Sequence, residues 1–130
     1  MTDALGAIEA ATGTADANRC EGNKQGGIGI FDSGTAPTLT NNQCVGNERF
    51  GICFAKGSRG LAEGNRCEKN VHDGIIVANM KTSPRLRGNQ MVGNKGFGLN
   101  IDRRAEAELL DGNTYSENGK GTVSWKSAWK

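Results

Sequence analysis

Aromatic residues make up only 5% of this chain, which holds one histidine, one tyrosine and two prolines. So few rings leave little for a helical-bundle core, and 20 glycines in 130 residues suit a turn-rich all-β chain better. No apolar run approaches the roughly 18 residues of a membrane span. Residues 1–8 lack the basic start and apolar core of a secretory leader, which says little about location. A formal net charge of +2 is too small to indicate nucleic acid or an anionic membrane, so neither is expected as a partner. No Cys/His pair has zinc spacing and no loop has the oxygen-ligand pattern of calcium repeats, so no metal and no cofactor is expected. So polar a composition also admits a disordered chain. Only the order of the residues decides against that.

That order is periodic. The stretch from Leu39 to Phe54, with Asn42, Cys44, Asn47, Gly51 and Ile52, returns four times along the chain. The first Asn falls at 18, 42, 65, 89 and 113, in steps of 24, 23, 24 and 24 residues. A second Asn follows five residues later each time, at 23, 47, 70, 94 and 118. Self-similarity of this period marks a solenoid, in which each unit buries its apolar face only against its neighbours. One domain is expected: a cap over 1–14, repeats over 15–126 and a tail over 127–130.

Each coil reads in the same way. A first strand is expected to carry Ala15, Leu39, Ala62, Leu86 or Leu110, then the first Asn, then Cys20, Cys44, Cys67, Met91 or Tyr115, all inward. A turn follows at the second Asn, where Gly and Asn tolerate left-handed backbone and an amide can bond its own turn or its neighbour above. A second strand opens at Gly27, Gly51, Gly74, Gly98 or Thr122 and points Ile28/Ile30, Ile52/Phe54, Ile75/Val77, Leu99/Ile101 and Val123/Trp125 inward. A looser third side returns the chain, with Pro37 and Pro84 at matching places where a missing N–H costs least. An open solenoid end exposes strand edges, so a short helix or irregular strand over 3–11 is expected as one lid. Trp125 and Trp129 are expected to cap the other end, with a partner-docking hook as the rival reading.

The cysteines divide into two kinds. Cys20, Cys44 and Cys67 share a position that Met and Tyr also fill, so they are expected as reduced core thiols. Parallel inward Cβ vectors make a disulfide between them difficult. Reduced thiols are compatible with the cytoplasm, but the location stays open. Cys53 falls on an outward position and is expected as the one reactive thiol.

The pattern Asn-x-Cys-x-x-Asn-x-x-x-Gly-Ile-x-Val, repeated from about residue 15 to 125, resembles the right-handed parallel β-helix repeat family. That group includes pectate-lyase-like folds and carbohydrate-binding or sugar-hydrolase modules. Leucine-rich repeats have a similar period, but their leucines are far denser. The resemblance implies an all-β right-handed solenoid of about five coils with short terminal caps. Its members include enzymes, surface proteins and repeat arrays, so it does not select an activity.

Polysaccharide-active members of the family imply acidic groups clustered along one exposed sheet. Asp32 and Asp102 fall about 14 Å apart by strand spacing, too far for a catalytic carboxylate pair. His72 beside Asp73 is open to reading as a general base, or as a solvated turn residue at a position filled elsewhere by Gln25, Arg49, Gly96 and Lys120. Arg19/Glu21 and Arg66/Glu68 form an outward column that is either a polar ligand face or a solvated ladder of ion pairs. Arg85, Arg87, Arg103, Arg104 and Lys81 read as a solvated face rather than a phosphate patch, because Glu106 and Glu108 lie nearby. On the second strand the outward series Gly29, Cys53, Ile76 and Asn100, beside Phe31, Ala55, Ala78 and Asp102, is unusually apolar. Such a patch marks contact, and Phe50 and Phe97 are placed to flank it. The expected function is a non-catalytic recognition or scaffold module that binds protein or glycan, or a second copy, through this face. The alternative is a polysaccharide-active lyase or hydrolase, or a fragment of one. The candidate contact residues are Phe31, Phe50, Cys53, Ile76, Phe97, Arg19 and Arg66.

Overall fold

A computed structural model describes residues 6–9 and 12–125, with side chains from 12 to 124. The described residues form strands and turns only, wound into a solenoid with three parallel sheets. Sheet 1 has six strands, stacked as β1 (Gly6–Glu9), β4 (Ile28–Phe31), β7 (Ile52–Ala55), β10 (Ile75–Val77), β13 (Phe97–Ile101) and β16 (Gly121–Trp125). Sheet 2 stacks β2 (Thr14–Asp16), β5 (Thr38–Thr40), β8 (Arg59–Glu63), β11 (Ser83–Arg87) and β14 (Glu108–Leu109). Sheet 3 stacks β3 (Arg19–Glu21), β6 (Gln43–Val45), β9 (Arg66–Glu68), β12 (Gln90–Val92) and β15 (Thr114–Ser116).

Three sheets replace the two strands and loose side expected from the pattern. The expected first strand is broken in two between Leu39 and Cys44, because Asn41 takes a left-handed φ of 55°. Ala17, Gly64 and Gly88 do the same in their coils. Leu39, Asn42 and Cys44 are spaced three and then two, and the additional residue is the corner. The return side is therefore sheet 2, not a loop. In the last coil Leu109, not Leu110, stands on Leu86, since that corner holds one residue more. At the other end, Gly6–Glu9 is a regular strand in register with Ile28–Phe31, where a short helix or irregular strand was expected. The rest of that lid and the side chains of Trp125 and Trp129 lie outside the described residues.

The interior follows the inward columns. Ile28, Ile30, Ile52, Phe54, Ile75, Val77, Leu99 and Ile101 from sheet 1 meet the sulfur column and Leu39, Ala62 and Leu86, all with almost no exposure. Cys20, Cys44 and Cys67 are buried and form no disulfide, as expected. A Cβ on Gly51 would lie 2.6 Å from the Gly74 carbonyl oxygen and 2.8 Å from Cys67 Sγ, so this column admits only glycine while a coil lies above it. The last coil has none above among the described strands, and there Thr122 replaces glycine.

Both Asn columns are ladders. Asn42 donates its backbone N–H and its Nδ2 to Asn65 Oδ1, each at 2.9 Å, and gives its second amide hydrogen to the Ala15 carbonyl. Asn65 repeats this onto Asn89 and Leu39. The second column does the same from Asn23 through Asn47, Asn70 and Asn94 to Asn118. No buried side-chain nitrogen or oxygen among the described residues lacks a partner. These amides meet every donor and acceptor they bury.

Candidate functional site

The register of sheet 1 sets Gly29, Cys53, Ile76 and Asn100 in one outward row. Phe31 pairs with Ala55 in the next row. At the N-terminal half of this face lies a groove of about 470 Å³. Gly26, Gly29 and Cys53 line it with the rings of Phe31 and Phe50, and Gln25 and Arg49 supply its polar groups. The Phe50 ring occupies the space a Cβ on Gly26 would need, 2.0 Å from that position. Glycine at 26 is what lets the ring lie against the preceding coil. Arg49 Nη1 donates to Gln25 Oε1 at 3.2 Å, and Lys56 Nζ stands 5.8 Å from the centre of the Phe31 ring.

Of the expected contact residues, the fold gathers Phe31, Phe50 and Cys53. Phe97 lies two coils away against Gly121, with its N–H donated to Asp73 Oδ1 at 2.7 Å. Ile76 lines a separate shallow recess with Ala78, Asn100 and Asp102. Arg19 and Arg66 sit on sheet 3, away from the groove. Their Nε atoms bond Glu21 and Glu68 at 2.8 and 2.9 Å, and their Nη1 atoms bond Gln43 and Gln90. This is the ion-pair ladder of the two readings, and the Arg66 hydrogen bond holds Glu68 below the usual carboxylate range.

Cys53 corrects an expectation. It points outward but is only 8% exposed, and burial pushes its thiol up to about 12 against the pull of Arg49. It is a covered part of the groove, not a reactive thiol. Gln25 and Arg49 were missed. Their column was read as solvated turn because His72 was weighed there alone, although two donors on adjacent coils beside Phe50 were the available signal. His72 itself is exposed. The Asp73 carboxylate turns away to the Phe97 N–H and to Asn100 Nδ2, at 2.7 and 3.2 Å, so it does not orient the imidazole.

On the return side, Arg104 pairs with Asp102 at 3.4 Å and Arg87 with Glu63 at 4.0 Å. Hydrogen bonds from the Arg104 and Asn79 backbones hold the Asp102 carboxyl below its ordinary value. Among the described residues no group of three or more His, Cys, Asp or Glu converges as a metal site, and no helix is long and apolar enough to cross a membrane.

The model of the right-handed β-helix region matches residues 1–128, and the chain belongs to that family. No curated protein matches it. No solved structure matches it either.

Proposed function

We propose that this β-helix is a non-catalytic recognition module that seats a sugar ring of a glycan in the Phe31–Phe50 groove. The observation that carries the reading is the composition of the groove: two phenyl rings, a glycine floor, and Gln25 and Arg49 as donors, with no carboxylate among the lining residues. Aromatic faces take the C–H face of a pyranose, and guanidinium and amide groups donate to its hydroxyls. Without a carboxylate there is neither a general acid nor a nucleophile for glycosidic cleavage at this place. The apolar row that continues to Ile76 extends the face along the stack, the direction a linear chain would follow.

Titration calorimetry against neutral oligosaccharides tests the reading. Phe50→Ala and Phe31→Ala are each expected to weaken binding about tenfold or more, with circular dichroism unchanged. Turnover of a neutral or uronate polymer would favour the enzyme reading instead. Loss of capture of a protein partner on Phe31→Glu or Ile76→Glu, with no oligosaccharide bound by the native chain, would make the face a protein-binding one.

A further inference from the structure

Sheet 2 carries a second groove, of about 430 Å³, independent of the first. Its outward face is laid out by register. One column runs Thr38, Leu61, Arg85, Glu108, and a parallel one runs through Arg59 and Ser83. The Glu106 N–H bonds the Thr82 carbonyl, which brings Glu106 next to Ser83 in the second column. The basic pair therefore occupies the middle coils and the acidic pair the last one, with the Ser83 hydroxyl between Arg59 and Glu106. Leu61, Pro37 and Gly60 give the groove an apolar lining.

Among the described residues these four charges have no ion-pair partner. The described ion pairs are Arg19–Glu21, Arg66–Glu68, Arg87–Glu63 and Arg104–Asp102, none of which involves Arg59, Arg85, Glu106 or Glu108. No side chain of the four makes a hydrogen bond to a described residue either. Arg85 and Glu108 face each other on adjacent strands and still do not join. On sheet 3, by contrast, Arg66 closes onto Glu68 at 2.9 Å. A groove with free guanidiniums at one end and free carboxylates at the other is complementary to a ligand with both charges.

The spacing narrows the ligand. Arg85 and Glu108 are one strand apart, about 5 Å, and Arg59 and Glu106 are two apart, about 10 Å. An extended peptide of two or three residues places its ammonium and carboxylate about 7–10 Å apart. We infer that the sheet 2 groove binds a free di- or tripeptide, its carboxylate on Arg59 and Arg85 and its ammonium on Glu106 and Glu108. Small side chains then lie on Leu61 and Pro37, and Ser83 meets the peptide backbone.

The test is calorimetric titration of the full chain with trialanine, N-acetyl-trialanine and trialanine amide. Trialanine is expected to bind, and blocking either terminus is expected to weaken it about tenfold or more. In Arg85→Gln amidation should cost less than in the native chain, since only Arg59 still meets the carboxylate. In Glu108→Gln acetylation should cost less, since only Glu106 still meets the ammonium. Both side chains are exposed and unpaired, so both variants should melt as the native chain does. Phe50→Ala should leave trialanine binding unchanged, which separates this groove from the one on sheet 1. No heat with trialanine, equal binding of the blocked forms, or unchanged losses in the two variants would overturn the inference.

Discussion

Replacing Asn65 by alanine tests what holds the coils in register. Asn65 is fully buried in the middle of its ladder. Its Oδ1 accepts the N–H and an amide hydrogen of Asn42, each at 2.9 Å. Its Nδ2 donates to the Leu39 carbonyl at 2.9 Å and to Asn89 Oδ1 at 3.0 Å. Truncation orphans two donors of Asn42, while the Leu39 carbonyl keeps its place in the β5–β8 ladder and Asn89 Oδ1 keeps the Asn65 N–H. An orphaned buried group costs about 1–3 kcal/mol, so Asn65→Ala is expected to lose about 2–6 kcal/mol. That is a large share of the roughly 5–15 kcal/mol of a domain. Asn18→Ala is the control, because the ladder has a direction. Asn18 gives Asn42 Oδ1 one amide hydrogen at 3.0 Å, and its backbone N–H keeps that oxygen satisfied after truncation. Its loss is expected to stay within about 1 kcal/mol. Urea denaturation followed by circular dichroism reads both. Equal costs for the two variants would refute the ladder as the source of register.

Four further outcomes follow from other contacts. Gly26→Ala forces the Phe50 ring, which holds the three atoms nearest the added Cβ, out of its place, so oligosaccharide binding should fall with little change in melting temperature, read by calorimetry and thermal scans. The cysteines should be silent toward a thiol reagent at neutral pH and react together on unfolding. Because the Cys53 thiol rises from 9.0 to about 12 on folding, its contribution is full below pH 9 and is lost above it, by up to about 1.4 kcal/mol per pH unit. Cys53→Ala should remove that part of the alkaline slope in a pH series of denaturation curves. Arg66→Ala breaks a half-buried pair at the surface of sheet 3 and should cost no more than about 1 kcal/mol, a loss that shrinks in high salt.

The fold was legible because inward positions repeat. Two Asn columns, a sulfur column and a Gly-Ile-x-Val signature recur at one spacing, and a stack is the only arrangement that buries them all. The second Asn column left two readings open, a bond to its own turn or to the neighbour above, and the structure takes the second, with Asn47 and Asn70 fully buried. A residue that satisfies its own turn and one that bonds the coil above have the same side chain in the same place. The corner before the first Asn was legible in principle, since Asn41, Gly64, Gly88 and Gly112 tolerate the left-handed backbone it needs. The grooves were less so. Each is made of residues about two dozen apart whose outward partners vary from coil to coil, and periodicity says nothing about positions that do not repeat. Cys53 was placed outward correctly. Its burial depends on what surrounds it in the folded groove, which alternation along a strand does not report.

Deleting one coil separates the fold from both grooves. Removal of the 24 residues 65–88 joins Gly64 to Asn89, so the left-handed corner still precedes a ladder Asn. Asn42 then faces Asn89, Gly51 faces Gly98, and Ile52 and Phe54 lie on Leu99 and Ile101. Phe50 and Phe97 become neighbours, but the two rings already lie against Gly26 and Gly121, on opposite sides of the junction. Gln25, Arg49, Phe31, Phe50 and Cys53 all precede the deletion, so the sheet 1 groove stays whole. Sheet 2 loses Ser83 and Arg85, half of its basic pair. The shortened chain is expected to fold with a denaturant slope lower by about a fifth, as the surface exposed on unfolding shrinks. It should bind oligosaccharide as before and trialanine about tenfold less tightly or worse. A shortened chain with no cooperative transition would show that the coils are not interchangeable units. One that folds yet loses the oligosaccharide would place the sugar beyond the Phe31–Phe50 groove.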